Sequence, residues 1–339
     1  MSTLARPGAA QLLAALVEDA LDGPLPLRLR AWDGSETGPA DAPVVVVRSR
    51  RALRRLLWQP GELGLAQAYV TGELDVEGDL AEGLRTMWAA QRERGPRPPR
   101  PTSTDRAAIS HHYDLSNDFY GLLLDETMTC SCGYWASDEP GLTAADAQRA
   151  KLELICRKLP LEPRARLLDI GCGWGSLVLH AAERHGVQVT AATLAREQAA
   201  YVRGQVRERG LTERVEVVCQ DYRDIQGSGY DAVATVEMGE HVGDAEYPAF
   251  IEAYNAPDTH MRPLGETVTL LEEAGLEVRH TESLREHYAR TVAAWHHTLE
   301  ERWDAFVRLA GEETARVWRP YPVGAAGMPS TSSAGYEDL

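Results

Sequence analysis

The chain has 339 residues, which is long enough for two compact units with cores of their own. Its net charge of −16 argues against nucleic acid as a partner, because phosphate binding needs an excess of basic side chains. No apolar run reaches the ~18 residues of a membrane span, and residues 1–20 lack the basic-then-apolar layout of a signal peptide, so we expect a cytoplasmic protein.

The five cysteines form neither a CxxC pair nor a framework spacing. They lie in stretches with the pattern of helices or strands, at Cys130, Cys132, Cys156, Cys172 and Cys219. This distribution argues against disulfides and against structural zinc, and we expect no metal site.

The N-terminal part predicts a small α+β unit. Apolar residues recur at helical spacing from Ala9 to Ala20, and two strand-like runs follow, Leu27 to Trp32 and Val44 to Arg48. Further predicted elements are a basic helix at 51–58, a short helix at 64–69, a strand at 73–77 and a helix at 80–92. We assign residues 1–93 to this domain, and residues 94–108, rich in Pro and Arg, to a linker that cannot continue a helix.

A dense basic run from Arg48 to Trp58 stands in an otherwise charge-balanced region. The first 110 residues contain equal numbers of basic and acidic residues, so the whole negative charge belongs to the rest of the chain. Arginines beside Leu and Trp suit a surface that meets anionic lipid headgroups. An ordinary solvated helix face explains the run equally well, so both alternatives stay open.

Beyond the linker, strand and helix patterns alternate. An amphipathic helix from Thr143 to Leu159 leads into a strand, and the alternation then continues along the chain. The predicted strands are Leu167 to Ile170, Val187 to Leu194, Val215 to Cys219 and Tyr230 to Val236, with helices at 177–184 and 196–208. This order predicts an open parallel sheet with helices on both faces, whose ligands bind at the carboxyl ends of the strands.

The first of these strands runs into a glycine-rich turn within Arg166 to Ser176. Glycines at alternate positions, Gly171, Gly173 and Gly175, let backbone N–H groups approach a ligand without a Cβ in the way. A dinucleotide site needs its third glycine one residue later, and here Asp169 stands shortly before the first glycine. The spacing favours S-adenosylmethionine over NAD, and a strand-to-helix turn without a ligand is the alternative.

Several blocks of sequence together resemble the cyclopropane-fatty-acyl-phospholipid synthase and mycolic acid methyltransferase family. The matching blocks are H-Y-D-L-S-N-D-F-Y from His112, C-x-Y-W from Cys132, L-D-I-G-C-G-W-G from Leu168, T-L-x-x-x-Q from Thr193, Q-D-Y-R-D from Gln220, E-H-V-G from Glu240 and H-Y-x-x-T from His287. They cover residues 109–243 and resume at 255–318. The resemblance implies an α/β fold with a Rossmann-like class I methyltransferase sheet, in a domain at 109–319 that follows the small α+β domain.

The resemblance also implies a reaction. Members of this family transfer a methyl group from S-adenosylmethionine to the cis double bond of an unsaturated acyl chain in a phospholipid. A bound bicarbonate then accepts a proton as a cyclopropane ring closes, whereas loss of a different proton gives a methyl- or methylene-branched chain. The implied partner is a phospholipid membrane surface approached from the cytoplasmic side, and a homodimer is also open.

The resemblance assigns roles to individual residues. The cofactor-binding positions are Ser131, Asp169, Gly171, Gly173, Gly175, Thr193, Gln198, Asp221 and Tyr222. The catalytic positions, at the bicarbonate site, are Cys132, Glu240 and Tyr288. Aromatic faces for the cationic reaction centre come from Tyr113, Phe119, Tyr134 and Trp135. Singly, each catalytic residue has an ordinary structural explanation; as a set in register they favour the site.

Two departures from the family pattern bear on activity. The family has a further strand after the position of Phe250, but residues 244–262 contain no apolar run to form it. The strand predicted at Leu276 to Thr281 then has to sit elsewhere in the sheet. Residues 320–339 are rich in Pro, Gly and Ser, so we predict a disordered tail in place of the last strand. A degenerate member that binds the cofactor without turnover, and a methyltransferase of soluble small molecules, are the competing hypotheses.

Overall fold

The structure is a computed structural model, and it describes residues 7–21, 23–52, 67–78, 117–159, 161–225, 229–237 and 264–319. The helices with both ends in these ranges are α1 (Ala9–Leu21), α2 (Asn117–Leu123), α3 (Ala144–Lys158), α4 (Ser176–His180), α5 (Arg196–Glu208), α6 (Leu264–Glu273), α7 (Arg285–Glu301), α8 (Trp303–Ala310) and α9 (Glu312–Trp318). The strands are β1 (Arg28–Ala31), β2 (Glu36–Thr37), β3 (Val44–Val47), β4 (Leu74–Glu77), β5 (Arg166–Ile170), β6 (Gln188–Thr193), β7 (Val215–Cys219) and β8 (Ala232–Thr235). None of these helices combines the length and hydropathy needed to cross a bilayer.

The first compact unit contains a small mixed sheet. The order of its strands is β2-β1-β3-β4, with β1 and β3 parallel and the two outer pairings antiparallel. Alternate residues of β1 and β3 are buried, as expected for strands with one face on a core. Helix α1 contributes Ala10, Leu13 and Ala14 to that core, at the spacing of one helix face. The predicted α+β fold of the N-terminal part is confirmed.

Helices α8 and α9 belong to this first unit, although they lie near the end of the chain. Arg316 of α9 is buried and donates to the Asp75 carboxylate at 3.1 Å and to the Tyr69 carbonyl oxygen at 3.3 Å. The second unit therefore ends at Glu301 among the described residues, whereas the predicted methyltransferase domain continued to residue 319. Local sequence pattern carries no information about such a long-range ion pair.

The second unit contains the predicted parallel sheet. Its strand order is β7-β6-β5-β8, and all three pairings are parallel. The chain runs from β5 outward to β6 and β7, then returns to place β8 on the other side of β5. The strand order thus reverses between β5 and β8, and ligands of such sheets bind at the carboxyl ends of the strands on either side of that switch point. The predicted α/β fold is confirmed.

Two local predictions differ from the structure. Residues 276–284 have no regular secondary structure, so the strand predicted at Leu276 to Thr281 is wrong; no described strand pairs with it, and Leu276 is 58% exposed. The helix predicted at 177–184 is α-helical only to His180 and continues as a π turn, Ala181–His185. The predicted linker and tail, and the segment after Phe250, lie outside the described residues.

Candidate active site

The glycine-rich turn follows the carboxyl end of β5 and leads into α4. Gly171, Gly173 and Gly175 have φ angles of 78°, 53° and 81°, a region that residues with a Cβ rarely adopt. A Cβ on Gly175 would lie 2.9 Å from both methyl groups of Val202, whereas a Cβ on Gly173 would meet no atom of the described residues within 4 Å. Gly175 is therefore required for packing, and Gly173 borders open space at the switch point.

Asp169 precedes this turn, within β5. The residue is 2% exposed, and none of the described residues donates a hydrogen bond to its carboxyl group. Burial raises the pKa of this carboxyl to about 7. A buried carboxyl without a partner is costly, so the position suits a ligand that brings positive charge or N–H donors.

The neighbouring strand β6 ends with Thr193, a predicted cofactor residue. Its hydroxyl donates to Gln198 Oε1 at 2.9 Å and accepts the N–H of Ala195 at 3.1 Å. The structure thus brings the predicted pair Thr193 and Gln198 together at the start of α5. The next side chain, Leu194, is 72% exposed and offers an apolar contact to a ligand at this edge.

The predicted residues Asp221 and Tyr222 follow β7. Asp221 accepts the N–H of Arg223 at 2.9 Å and two hydrogen bonds from the Arg223 guanidinium, at 2.9 and 2.6 Å. The Arg223 side chain holds the pKa of Asp221 at about 2. Asp221 is therefore ionised and paired with Arg223, while the Tyr222 ring remains 40% exposed at the carboxyl edge.

Ser131 is held by two buried side chains of α3. Its Oγ accepts a hydrogen bond from Lys151 Nζ, and its carbonyl oxygen accepts one from Gln148 Nε2 at 2.7 Å. Both partners are buried, and sequence reasoning missed them. The usable signal was a pair of polar residues three apart on the buried face of an amphipathic helix. A buried ammonium beside Ser131 suits the carboxylate of an amino-acid ligand.

Cys132 lies between the end of β8 and the start of α7. Its backbone N–H donates to Glu237 Oε1 at 2.8 Å, and its thiol points to the Leu284 carbonyl oxygen at 3.9 Å. Glu237 has a φ of 49°, which is unusual for a residue with a side chain and is found at functional sites. Sequence reasoning chose Glu240 instead, which lies outside the described residues. The available signal for Glu237 was an acid directly after a strand at the switch point.

Helix α7 fastens the loop that carries Ser131 and Cys132. The Thr291 hydroxyl oxygen accepts the Gly133 N–H at 3.0 Å and the Trp135 indole N–H at 3.1 Å. His287 Nδ1 accepts the Trp135 backbone N–H at 2.8 Å. The predicted residue Tyr288 is buried on the same helix. The loop that carries Cys132 therefore contacts both Glu237 and α7, the helix that carries Tyr288.

The predicted aromatic residues differ in their surroundings. Phe119 has 0% exposure, so it belongs to the core, and Tyr113 lies outside the described residues. Tyr134 stacks on the ring of His287, with centroids 4.7 Å apart. Trp174, within the glycine-rich turn, donates its indole N–H to Asn117 at 2.9 Å and so ties the turn to α2.

Comparisons with known proteins identify the family of the chain. The family model described as mycolic acid cyclopropane synthetase matches residues 100–265 and again residues 249–333. A Mycobacterium tuberculosis protein named probable fatty acid methyltransferase is 35% identical, over 88% of this chain and 87% of that protein. The cyclopropane-fatty-acyl-phospholipid synthase of Escherichia coli is 36% identical, over 68% of this chain and 60% of that protein.

A solved structure supports the same relationship. A mycolic acid cyclopropane synthase complexed with SAH and CTAB superposes with a TM-score of 0.58 and 26% sequence identity. The superposition covers 66% of this chain and 93% of that chain. The similarity therefore extends over nearly the whole of that solved chain.

Proposed function

The chain belongs to the mycolic acid cyclopropane synthetase family, and from this premise we propose that it cyclopropanates unsaturated acyl chains of phospholipids. The reaction joins the methyl group of S-adenosylmethionine to one carbon of a cis double bond. A base then removes a proton from the added group, and the ring closes. The products are S-adenosylhomocysteine, a proton and a cyclopropane-containing lipid.

The observation that carries the proposal is the buried carboxyl of Asp169 beside the glycine-rich turn, which accepts no hydrogen bond from the described residues. When bound, S-adenosylmethionine supplies an electrophilic methyl group on a sulfonium, together with a positively charged amino group. Asp169 suits that positive charge, and the open space at Gly173 suits close approach of a ligand to the backbone. Lys151 and Ser131 suit the carboxylate of the same molecule.

In this proposal Cys132, Glu237 and α7, which carries Tyr288, lie on the side of the site that receives the lipid substrate. An alkene is a poor nucleophile, so the double bond must be held close to the methyl group with water excluded. The family resemblance gives Cys132 a backbone or thiol contact to bicarbonate, but the Cys132 N–H donates to the Glu237 carboxylate. We therefore propose either bicarbonate or the Glu237 carboxylate as the proton acceptor, and omission of bicarbonate from the assay distinguishes them.

The proposal is tested with the full chain, vesicles containing a cis-unsaturated phospholipid, and S-adenosylmethionine carrying a ¹³C methyl group. We expect acyl chains one labelled CH₂ unit heavier by mass spectrometry. Proton NMR of the lipid separates ring CH₂ groups from the methylene-branched alternative. For substitutions in the candidate site, the matched control is Glu301→Gln, which changes an exposed side chain at the end of α7. Unlabelled lipid with the well-folded chain overturns the enzymatic proposal.

Action at a membrane surface is part of the same proposal. The support is the basic run that starts at Arg48, of which Arg51 is exposed; Arg48 pairs with Asp75, and the segment after Ala52 lies outside the described residues. We expect the chain to float with vesicles of anionic phospholipid and to be released by salt, as electrostatic binding requires. An enzyme for soluble small molecules stays in the soluble fraction. Gel filtration tests the proposed homodimer.

A cofactor-binding but inactive member is the second candidate. The alignment with the M. tuberculosis relative spans 373 positions, more than the 339 residues of the chain, so it contains gaps in this chain. The family model likewise matches in two overlapping pieces rather than one. A thermal unfolding transition raised by S-adenosylmethionine, with no label in the lipid, supports this candidate; labelled lipid contradicts it.

A further inference from the structure

A second cluster of reactive side chains lies at the other end of α4 from the glycine-rich turn. The sulfur of Cys156 and one ring nitrogen each of His180 and His185 lie within 4.8 Å of one another. Glu153 Oε2 lies 3.3 Å from His180 Nε2 and 3.2 Å from His185 Nε2. Cys156, His180 and His185 thus offer one sulfur and two imidazole nitrogens to a common ion, and Glu153 contacts the two imidazole rings.

Two features of the backbone bring these groups together. Glu153 and Cys156 are three residues apart on α3, so they share one helix face. His180 and His185 are five residues apart, which in an α-helix places side chains about 140° from each other. The π turn Ala181–His185 has hydrogen bonds between residues five apart, and so brings the two rings to the same side. Single π turns are rare and often occur at functional sites.

The Glu153 carboxylate orients the two imidazole rings. Its Oε2 oxygen lies within hydrogen-bond distance of His180 Nε2 and His185 Nε2, at 3.3 and 3.2 Å. Imidazole ligands of a metal commonly hydrogen-bond a carboxylate through the other ring nitrogen, which fixes the orientation of the ring.

Burial of the cluster fits a structural site. Cys156 is 1% exposed, and none of the described residues makes a hydrogen bond with its sulfur. The His180 and His185 side chains are 16% and 20% exposed, so an ion can reach them from solvent. Hydrogen bonds to Glu153 explain the positions of the two imidazole rings. They do not explain why a buried thiol lies beside the rings, whereas a metal ion does.

We propose that Cys156, His180 and His185 bind one Zn²⁺ ion that ties α3 to the end of α4, with Glu153 orienting the two imidazole rings. Sulfur and imidazole donors favour zinc over magnesium or calcium, and water completes the tetrahedral coordination. The sequence shows no recognisable metal spacing because the ligands lie on different helices and the histidine pair depends on a π turn. Binding replaces the thiol proton, which passes to solvent.

The test uses the full chain without an affinity tag. After incubation with Zn²⁺ and dialysis, elemental analysis is expected to find one zinc per chain, and EDTA is expected to lower the thermal unfolding temperature. With Co²⁺ in place of zinc, we expect the visible bands of a tetrahedral site and a thiolate-to-cobalt charge-transfer band. Absence of retained zinc, or a cobalt spectrum without the thiolate band, overturns the proposal.

Two variants remove ligands by small changes in shape. Cys156→Ser is expected to abolish the thiolate band, and His185→Gln to weaken zinc binding by at least about 100-fold. The matched control is His297→Gln, because His297 Nε2 lies 3.1 Å from Glu301 Oε1 and both side chains are exposed. Circular dichroism checks that each variant is folded. Unchanged zinc binding in both ligand variants contradicts the proposal, as does an equal loss in His297→Gln.

Discussion

Asp75 in the first unit and Asp169 in the second are both buried, but their surroundings differ. The Asp75 carboxylate accepts hydrogen bonds from Arg316 at 3.1 Å, from Arg48 at 2.5 Å and from the Val76 N–H at 3.0 Å. Asp169 accepts none from the described residues, and burial raises its pKa to about 7. One carboxylate is neutralised by two arginines, whereas the other has no hydrogen-bond partner among the described residues at the switch point.

The difference separates a structural role from a ligand-binding role. A buried charge that is paired and hydrogen-bonded fixes the elements that supply its partners, here β4 and α9. A buried polar group without a partner lowers stability and is usually explained by function. Changes at Asp75 should therefore affect folding of the first unit, and changes at Asp169 should affect cofactor binding in the second.

The largest expected effect is on stability. Arg316→Met removes the buried partner of Asp75 while keeping a long apolar side chain. We expect a loss of about 3–5 kcal/mol, because the Asp75 carboxylate loses its buried charged partner and keeps, among the described residues, the exposed Arg48 side chain and the Val76 N–H. Urea unfolding measures the loss, and amide hydrogen exchange in β3 and β4 locates it in the first unit.

The control for this prediction is Arg149→Met. Arg149 also pairs with two carboxylates, Glu126 and Asp146, but its side chain is 47% exposed. Exposed pairs contribute about 0–1 kcal/mol, so little change is expected. Equal losses in Arg316→Met and Arg149→Met would mean that burial of the Asp75 pair is not what stabilises the unit.

The second prediction concerns the pH dependence of Asp169→Asn. The folded-state pKa of Asp169, about 7, exceeds the ordinary value of 3.8, so the native state holds the proton longer than the unfolded state. This contribution to stability is present below pH 3.8 and is lost as pH rises to about 7, by about 4 kcal/mol in all. Asparagine cannot ionise, so the variant should lack this slope and be more stable than the wild type at pH 8.

The same variant should bind S-adenosylmethionine about 10- to 100-fold more weakly, because a hydrogen bond to a charged group is lost. Urea unfolding from pH 5 to pH 8 and isothermal titration calorimetry measure the two effects. Asp138→Asn is the matched control, since that carboxylate is exposed and paired only with Arg290 among the described residues. A gain in stability without loss of affinity would assign Asp169 to packing rather than to the cofactor.

The smallest expected effects distinguish two glycines of the same turn. Gly175→Ala combines an unfavourable φ with a clash against Val202, and should cost about 2–3 kcal/mol. Gly173→Ala meets no described atom, and should cost only about 1 kcal/mol for its φ. Gly173→Ala should nevertheless weaken cofactor binding, because the new methyl group enters the open space. Urea unfolding measures the loss of stability in each variant, and calorimetry measures cofactor binding. A larger loss of stability in Gly173→Ala than in Gly175→Ala would contradict the roles assigned to the two glycines.

The sequence predicted the elements whose signals are local. Alternation of strands and helices identified the parallel sheet, and glycines at alternate positions identified the turn after β5. Thr193 and Gln198 were assigned by the family resemblance through the T-L-x-x-x-Q block, and the structure joins them across one strand-to-helix junction. Glu237 was missed because its role depends on a contact with Cys132, which is 105 residues away in the chain.

By itself, the sequence determined the fold class, the family and the position of the glycine-rich turn, because periodicity and short motifs act over a few residues. Only the tertiary structure placed α9 in the first unit, set Lys151 beside Ser131 and brought Cys156 to the two histidines of α4 and the π turn. Each of these arrangements depends on burial and on contacts between distant segments. Asp169 shows both contributions, since the motif located the carboxyl group and the packing buried it without a hydrogen-bond partner among the described residues.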